Sequence, residues 1–121
     1  MEDADILAFV GATVKSVWAL ELLLLMRRER GHAWPMADLV RELRASTLVV
    51  AEALDSLTSS GLVATDESGQ SCYRPASEQL DSFVHGAEAL YAAKPVAVIN
   101  AIATAPSEKL RIFAEAFRLK E

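Results

Sequence analysis

Residues 36–74 read MADLVRELRASTLVVAEALDSLTSSGLVATDESGQSCYR, and the spacing of their apolar side chains decides the fold. Met36, Leu39, Val40 and Leu43 recur at three- and four-residue steps, which predicts a short helix with Asp38, Arg41, Glu42 and Arg44 on its outer side. Arg44-Ala45-Ser46 forms the turn, and the Ser46 hydroxyl suits an N-cap because it can accept from a first-turn amide. A second helix is expected over 47–60, with Val50, Ala53, Leu54 and Leu57 inward, and Gly61 stops it. Residues 62–65 and 71–74 then read as strands joined across Asp66-Glu67-Ser68-Gly69-Gln70, a loop that suits a hairpin. Pro75 prevents the second strand from continuing.

Working outward, residues 3–30 carry helical signals almost throughout. Ile6, Val10, Val14, Val17 and Trp18 fall on one apolar face. Gly11 marks a break within this stretch, with Thr13 or Ser16 capping the helical segment after it. From Val17 onward apolar residues surround the helix, so it must be covered on several sides, one by its own domain and another by a partner subunit. Arg27, Arg28 and Arg30 lie in its last turn, where cations suit the helix dipole, and Gly31 ends it. Pro35 keeps Trp34 out of the α region and places it in the core or under the hairpin. Downstream, Ser77 caps a helix with Leu80, Phe83, Val84, Ala87, Leu90 and Tyr91 on one face. Pro95 opens the next, whose residues 96–103 are nearly all apolar and are expected to be buried. After Pro106, Leu110, Phe113, Ala114 and Phe117 predict a last amphipathic helix. The fold class is mostly α with a small antiparallel hairpin.

At 121 residues this is one domain, or one domain with flanking helices. Hydrophobic residues make up 52% and mean hydropathy is +0.21, enough for a core and high for a monomer of this size, which favours a buried interface between copies. A net charge of -5 does not favour polyanion binding overall, although a local basic patch can override it. The single cysteine excludes an intrachain disulfide and a cysteine-based zinc cluster, and it fits a reducing cytosol. No basic-then-apolar-then-small pattern opens the chain, so a cytoplasmic protein without a signal peptide is expected. The apolar run 17–26, VWALELLLLM, is about half the roughly 20 residues a membrane span needs, and Glu21 interrupts it.

The helix–turn–helix–hairpin unit, with residues 17–30 before it, resembles the winged helix-turn-helix of bacterial regulators such as the MarR and PadR groups. Leu39, Val40 and Leu43 carry the likeness in the first helix, Ser46, Val50, Leu54 and Leu57 in the second, and Gly61-Leu62-Val63 where the wing begins. The resemblance implies one winged-helix domain over 1–121, with a core of about 16–75 and terminal helices at 3–30 and 77–119 that pack on it and build a two-fold homodimer. It also implies that the helix over 47–60 lies in the major groove of double-stranded DNA.

The outward positions of that helix are Thr47, Leu48, Val49, Ala51, Glu52, Asp55 and Ser56. Base edges are read best by Arg, Lys, Asn or Gln, which make bidentate bonds, and none stands here. Phosphates repel Glu52 and Asp55, and the wing tip offers Asp66 and Glu67. The candidate DNA contacts are therefore Arg41, Arg44, Ser46, Thr47, Ser56 and Arg74, which would position the protein more than specify a sequence. Arg27, Arg28 and Arg30 add basic charge, unless Glu29, Asp38 and Glu42 hold these arginines in a solvated, paired surface.

Other chemistry is sparse. His85 and Glu88, one helical turn apart, are a weak metal pair and read better as structural, with His85 partly buried. Cys72 has no histidine at a telling spacing, and Asp66 and Glu67 sit on a loop where nothing buries or crowds a carboxyl. No phosphate loop or hydrolase motif occurs, so no catalytic residues, metal or cofactor are expected and an enzyme is not. Trp18, Trp34, Phe83, Phe113 and Phe117 are core or the lining of a small-molecule pocket.

Three functions are compatible with these residues. The first is a winged-helix transcriptional regulator that binds DNA as a homodimer, mainly through phosphates. The alternative is a protein–protein interaction module, a regulator or antagonist that does not bind DNA and uses Leu48, Val49, Glu52 and Asp55. The third is a ligand-sensing dimer whose terminal helices hold a small effector.

Overall fold

The computed structural model describes residues 2–104; the helix expected around Leu110, Phe113, Ala114 and Phe117 lies outside them. In chain order the elements are α1 (Asp3–Thr13), α2 (Val17–Arg28), α3 (Met36–Leu43), α4 (Thr47–Ser59), β1 (Val63–Thr65), β2 (Ser71–Tyr73), α5 (Glu78–Ala93) and α6 (Pro95–Thr104). From α2 to β2 this is the order of a winged helix-turn-helix.

Three helices begin where a serine supplies the missing acceptor. The Ser16, Ser46 and Ser77 hydroxyls accept from the amides of Ala19, Val49 and Leu80 at 3.0, 3.2 and 3.1 Å. Ser16 also sets the geometry, because residues 3–28 form two helices bent by 109° across the break before it. Gly11 lies inside α1 and does not break it. Thr13 closes α1 instead of capping α2, its hydroxyl donating to the Phe9 carbonyl at 2.6 Å. The bend interrupts the helical register, so Trp18 leaves the apolar face expected to join it with Ile6, Val10 and Val14. It stands 44% exposed while those three are buried.

α2 is the central helix. Leu20, Leu22, Leu23 and Met26 are fully buried on several sides of it, and α3, α4 and β2 pack around it. These neighbours within the chain cover most of the all-round apolar helix and leave Trp18 at its start exposed. α4 buries Val50, Ala53, Leu54 and Leu57, the face its spacing predicts. It closes on Gly61 at φ +76, where Gly61 and Leu62 donate to the Thr58 and Leu57 carbonyls. A Cβ on Gly61 would also stand 3.3 Å from that of Ala76. α3 ends in the same way on Arg44 at φ 53, a left-handed conformation that costs a side-chain-bearing residue about 1 kcal/mol.

β1 and β2 pair antiparallel, with Val63 opposite Tyr73 and Thr65 opposite Ser71. Trp34 adds a short third edge by exchanging both backbone hydrogen bonds with Ser71, at 2.7 and 2.9 Å. Its side chain is buried in the core, with the His32 ring edge-on at 4.3 Å. At the tip, the Asp66 carboxylate accepts from the Ser68 hydroxyl and the Ser68 and Gln70 amides. This local turn gives the tip its shape.

α1, α5 and α6 pack on one another as a second layer. Phe9 stacks on Phe83 with ring centroids 4.9 Å apart, and Val10, Val84, Ala87 and Val98 are fully buried. α6 departs from expectation. Val98 is buried, but Val96 is 68% and Ile99 37% exposed. Apolar residues lie all round α6, while α1 and α5 cover only the side that carries Val98. Among the described residues, no single helix is long and apolar enough to cross a membrane.

Candidate interaction face

The start of α4 gathers most of the sequence-selected polar residues. Arg44 and Thr47 are exposed at the turn, and Ser46, also exposed, has its hydroxyl engaged by the Val49 amide. Arg41 is exposed, but its guanidinium pairs with Asp38 one turn earlier. Arg74 is exposed beyond β2, tied through its amide to the Leu62 carbonyl. Ser56 is a correction. It was expected on the outward face, yet its Oγ is buried and has no hydrogen-bond partner among the described residues. The cause is helical spacing: Val49, Glu52, Ala53 and Ser56 fall at three- and four-residue steps on the side of α4 that meets the start of α2. There Val49, Glu52 and Ser56 join Lys15, Ser16 and Trp18 around a pocket of about 210 Å³.

The remaining exposed side of α4 is apolar and acidic. Leu48 is 68% exposed. Glu52 and Asp55 are exposed, and neither has an ion-pair partner among the described residues. Trp18, one of the aromatics that the sequence offered as core or pocket lining, stands on the lip of this pocket, and its exposure is what the apolar face shared with Ile6, Val10 and Val14 did not predict. The signal for it was the Ser16 cap, which restarts the helix and turns the indole outward.

The arginines at the far end of α2 are committed elsewhere. Arg27 donates to Glu88 at 3.1 Å and lies 3.3 Å from the His85 Nδ1, which accepts from it. Its Nε stands 3.5 Å from Asp81, a charge contact without hydrogen-bond geometry. Arg30 reaches the same Asp81 at 2.7 Å and lies over the Tyr73 ring, 5.2 Å from its centroid. The Tyr73 hydroxyl donates to Asp81 at 2.5 Å. One carboxylate thus clasps the wing, α2 and α5 together. The Tyr73 bond, reinforced by Arg30 and Arg27, holds Asp81 below the usual carboxylate range. Burial, with the Asp81 hydrogen bond and charge, pushes the Tyr73 phenol up to about 12. A parallel link joins the Tyr91 hydroxyl to Glu21 at 2.8 Å and raises that phenol as well. Of the three arginines only Arg28 stays exposed without a partner among the described residues. The partners of Arg27 and Arg30 lie on α5, far along the chain from the Glu29, Asp38 and Glu42 that the sequence offered.

His85 is exposed, not partly buried, and both it and Glu88 turn to Arg27. Cys72 is half-buried in β2. Asp66 is pulled below the usual range by the Ser68 hydroxyl and the loop amides, an effect of the tip turn that its loop position did not suggest. Trp18, Trp34 and Phe83 occupy three separate places, and Phe113 and Phe117 lie outside the described residues. A larger cleft of about 840 Å³ runs beside α5, lined among others by Asp3, Arg27, Asp81, His85 and Lys94. Its cations are already matched: Lys94 meets Asp3 at 3.3 Å, and Arg27 meets Glu88 and Asp81. An incoming anion would have to break those pairs. The open groups therefore lie at α4, not in the larger cleft.

No known protein family, curated protein or solved structure matches this chain.

Proposed function

We propose that this chain is a winged-helix regulator that acts by docking a protein partner on the open side of α4, as a cytoplasmic homodimer. One observation carries the reading: the exposed charges of α4 are the acids Glu52 and Asp55, without an ion-pair partner among the described residues, with Leu48 68% exposed on the same helix. A carboxylate within about 4 Å of a phosphate costs about 1 kcal/mol even in bulk water, and several times more as water is excluded. Burying Leu48 against a protein contributes about 1 to 2 kcal/mol in the opposite direction. The electrostatics thus oppose a DNA backbone and the apolar surface favours a protein. For the second copy, α6 offers Val96 and Ile99.

Phosphate contact is the second reading, favoured by Arg41, Arg44 and Thr47 around the N-terminal end of α4. The two readings separate in a capture experiment with the immobilised chain and a cell extract. Docking through α4 predicts that Leu48→Asp abolishes nuclease-resistant capture, while Arg41→Ala and Arg44→Ala leave it intact. Capture that survives Leu48→Asp, or disappears on nuclease treatment, contradicts it. Leu48 is the residue to change because its exposure spares the fold, whereas Val49 is half-buried in the pocket.

A further inference from the structure

We infer that the pocket between the start of α2 and α4 is a socket for one aromatic side chain with a polar tip, tyrosine or tryptophan, in a partner segment whose flanking residues are basic. The inference rests on the protein-docking reading and names the chemistry of the partner.

Size gives the first constraint. At about 210 Å³ the pocket is smaller than the roughly 300 to 1,000 Å³ of ordinary small-molecule sites, and it suits one large side chain. Its walls give the second. The Trp18 indole, Val49, Ala19 and Ala53 are apolar, so the occupant must present an apolar body. Trp18 is 44% exposed and offers a face or edge for a second ring. Ser56 gives the third. Its Oγ is buried and lacks a hydrogen-bond partner among the described residues, and Ser56 belongs to the pocket lining. A hydroxyl left in that state costs about 1 to 3 kcal/mol, a cost that a phenol or indole N–H would remove once rotation about the Ser56 χ1 bond turns the hydroxyl into the pocket. Aromatic side chains with one polar atom meet all three conditions, and they are the residues that dominate protein hot spots.

Charge sets the flanks. Glu52 stands on the α4 lip and Asp55 is three residues further along the same helix, both unpaired among the described residues. On the opposite lip Lys15 is held locally, its Nζ donating to the Ala12 carbonyl at 3.1 Å. A segment crossing α4 is therefore favoured by Lys or Arg beside its anchor.

A random-peptide library displayed on phage, selected on the immobilised full chain, tests this, followed by fluorescence polarisation of the enriched peptides. Enrichment of Tyr or Trp with neighbouring Lys or Arg is expected. Glu52→Lys should weaken binding about tenfold. Replacing the anchor Tyr by Phe should cost about fivefold on the native chain and nothing on Ser56→Ala, since both changes remove the same hydrogen bond. Peptides that are lost on Leu48→Asp but are acidic, or indifferent to Glu52→Lys, or equally sensitive to Tyr→Phe in the Ser56→Ala variant, overturn the socket and leave α4 docking standing. Peptides indifferent to Leu48→Asp, or no enrichment at all, overturn both.

Discussion

The two ends of α2 treat their polar groups in opposite ways. At the C-terminal end, Arg27 and Arg30 are closed against Asp81, Glu88 and the Tyr73 ring, so cations that looked like a nucleic-acid surface are ties between the wing and α5. At the N-terminal end, Trp18 is exposed, and among the described residues the Ser56 hydroxyl has no hydrogen-bond partner and Glu52 and Asp55 have no ion-pair partner. Groups satisfied within the chain account for the fold. Groups left open mark surface that a partner can reach, and along α4 they are apolar and acidic, although Arg28 and Arg44 also stay exposed elsewhere.

The contrast between the two ends breaks most visibly at Arg27. Arg27→Ala takes from Glu88 its cation and from Asp81 one of three partners, empties a largely buried position, and should lower the unfolding free energy by about 2 kcal/mol, whereas Leu48→Asp should stay within about 0.5 kcal/mol of the parent. Urea denaturation midpoints measure both. A destabilised Leu48→Asp beside an unaffected Arg27→Ala would reverse the roles of the two ends.

Tyr73→Phe should cost less, about 1 to 2 kcal/mol, and leave a signature in pH. The folded phenol is raised from 10.0 to about 12, so the unfolded chain loses its proton first. The stabilisation is complete below the unfolded value and is lost as pH rises through the folded one. Unfolding free energy should therefore decline from about pH 10 to about pH 12 in the parent and much less in Tyr73→Phe, with Tyr91 leaving a smaller residual slope. Asp81, whose folded value is depressed, works in the other direction: its contribution is present above the ordinary carboxylate range and is lost as pH falls through the lowered value. Asp81→Asn should flatten the acid limb, and an unchanged limb would remove Asp81 from the clasp.

The smallest expected effect is a gain. Arg44→Gly relieves the left-handed conformation at φ 53 and should raise stability by about 0.5 to 1 kcal/mol. Partner capture should not change, because Arg44 lies outside the α4 face formed by Leu48, Glu52 and Asp55. Loss of capture in this more stable variant would move the interface to the α3–α4 turn.

The inward side of this molecule was legible in its sequence. The α3 bounds, the Ser46 and Ser77 caps, the four buried positions of α4 and the apolar face of α5 all follow from local spacing and hydroxyl placement. Features that depend on distant contacts were not. The Arg27–Glu88 and Tyr73–Asp81 ties join different elements, and the exposure of α6 depends on how much of it α1 and α5 cover. The α4 site was half legible. Leu48, Glu52 and Asp55 stand outward as expected, while Ser56 turns to α2, because a helix wedged against a neighbour has three kinds of side, not two. Trp18 depended on where one helix became two.

That α4 faces a protein and not a DNA backbone is tested most directly by a fluorescence titration of random duplex DNA with the full chain across a salt series. No saturable binding is expected, even at the lowest salt. Measurable affinity that falls steeply with salt, and is weakened by Arg41→Ala and Arg44→Ala, would contradict the protein-docking reading.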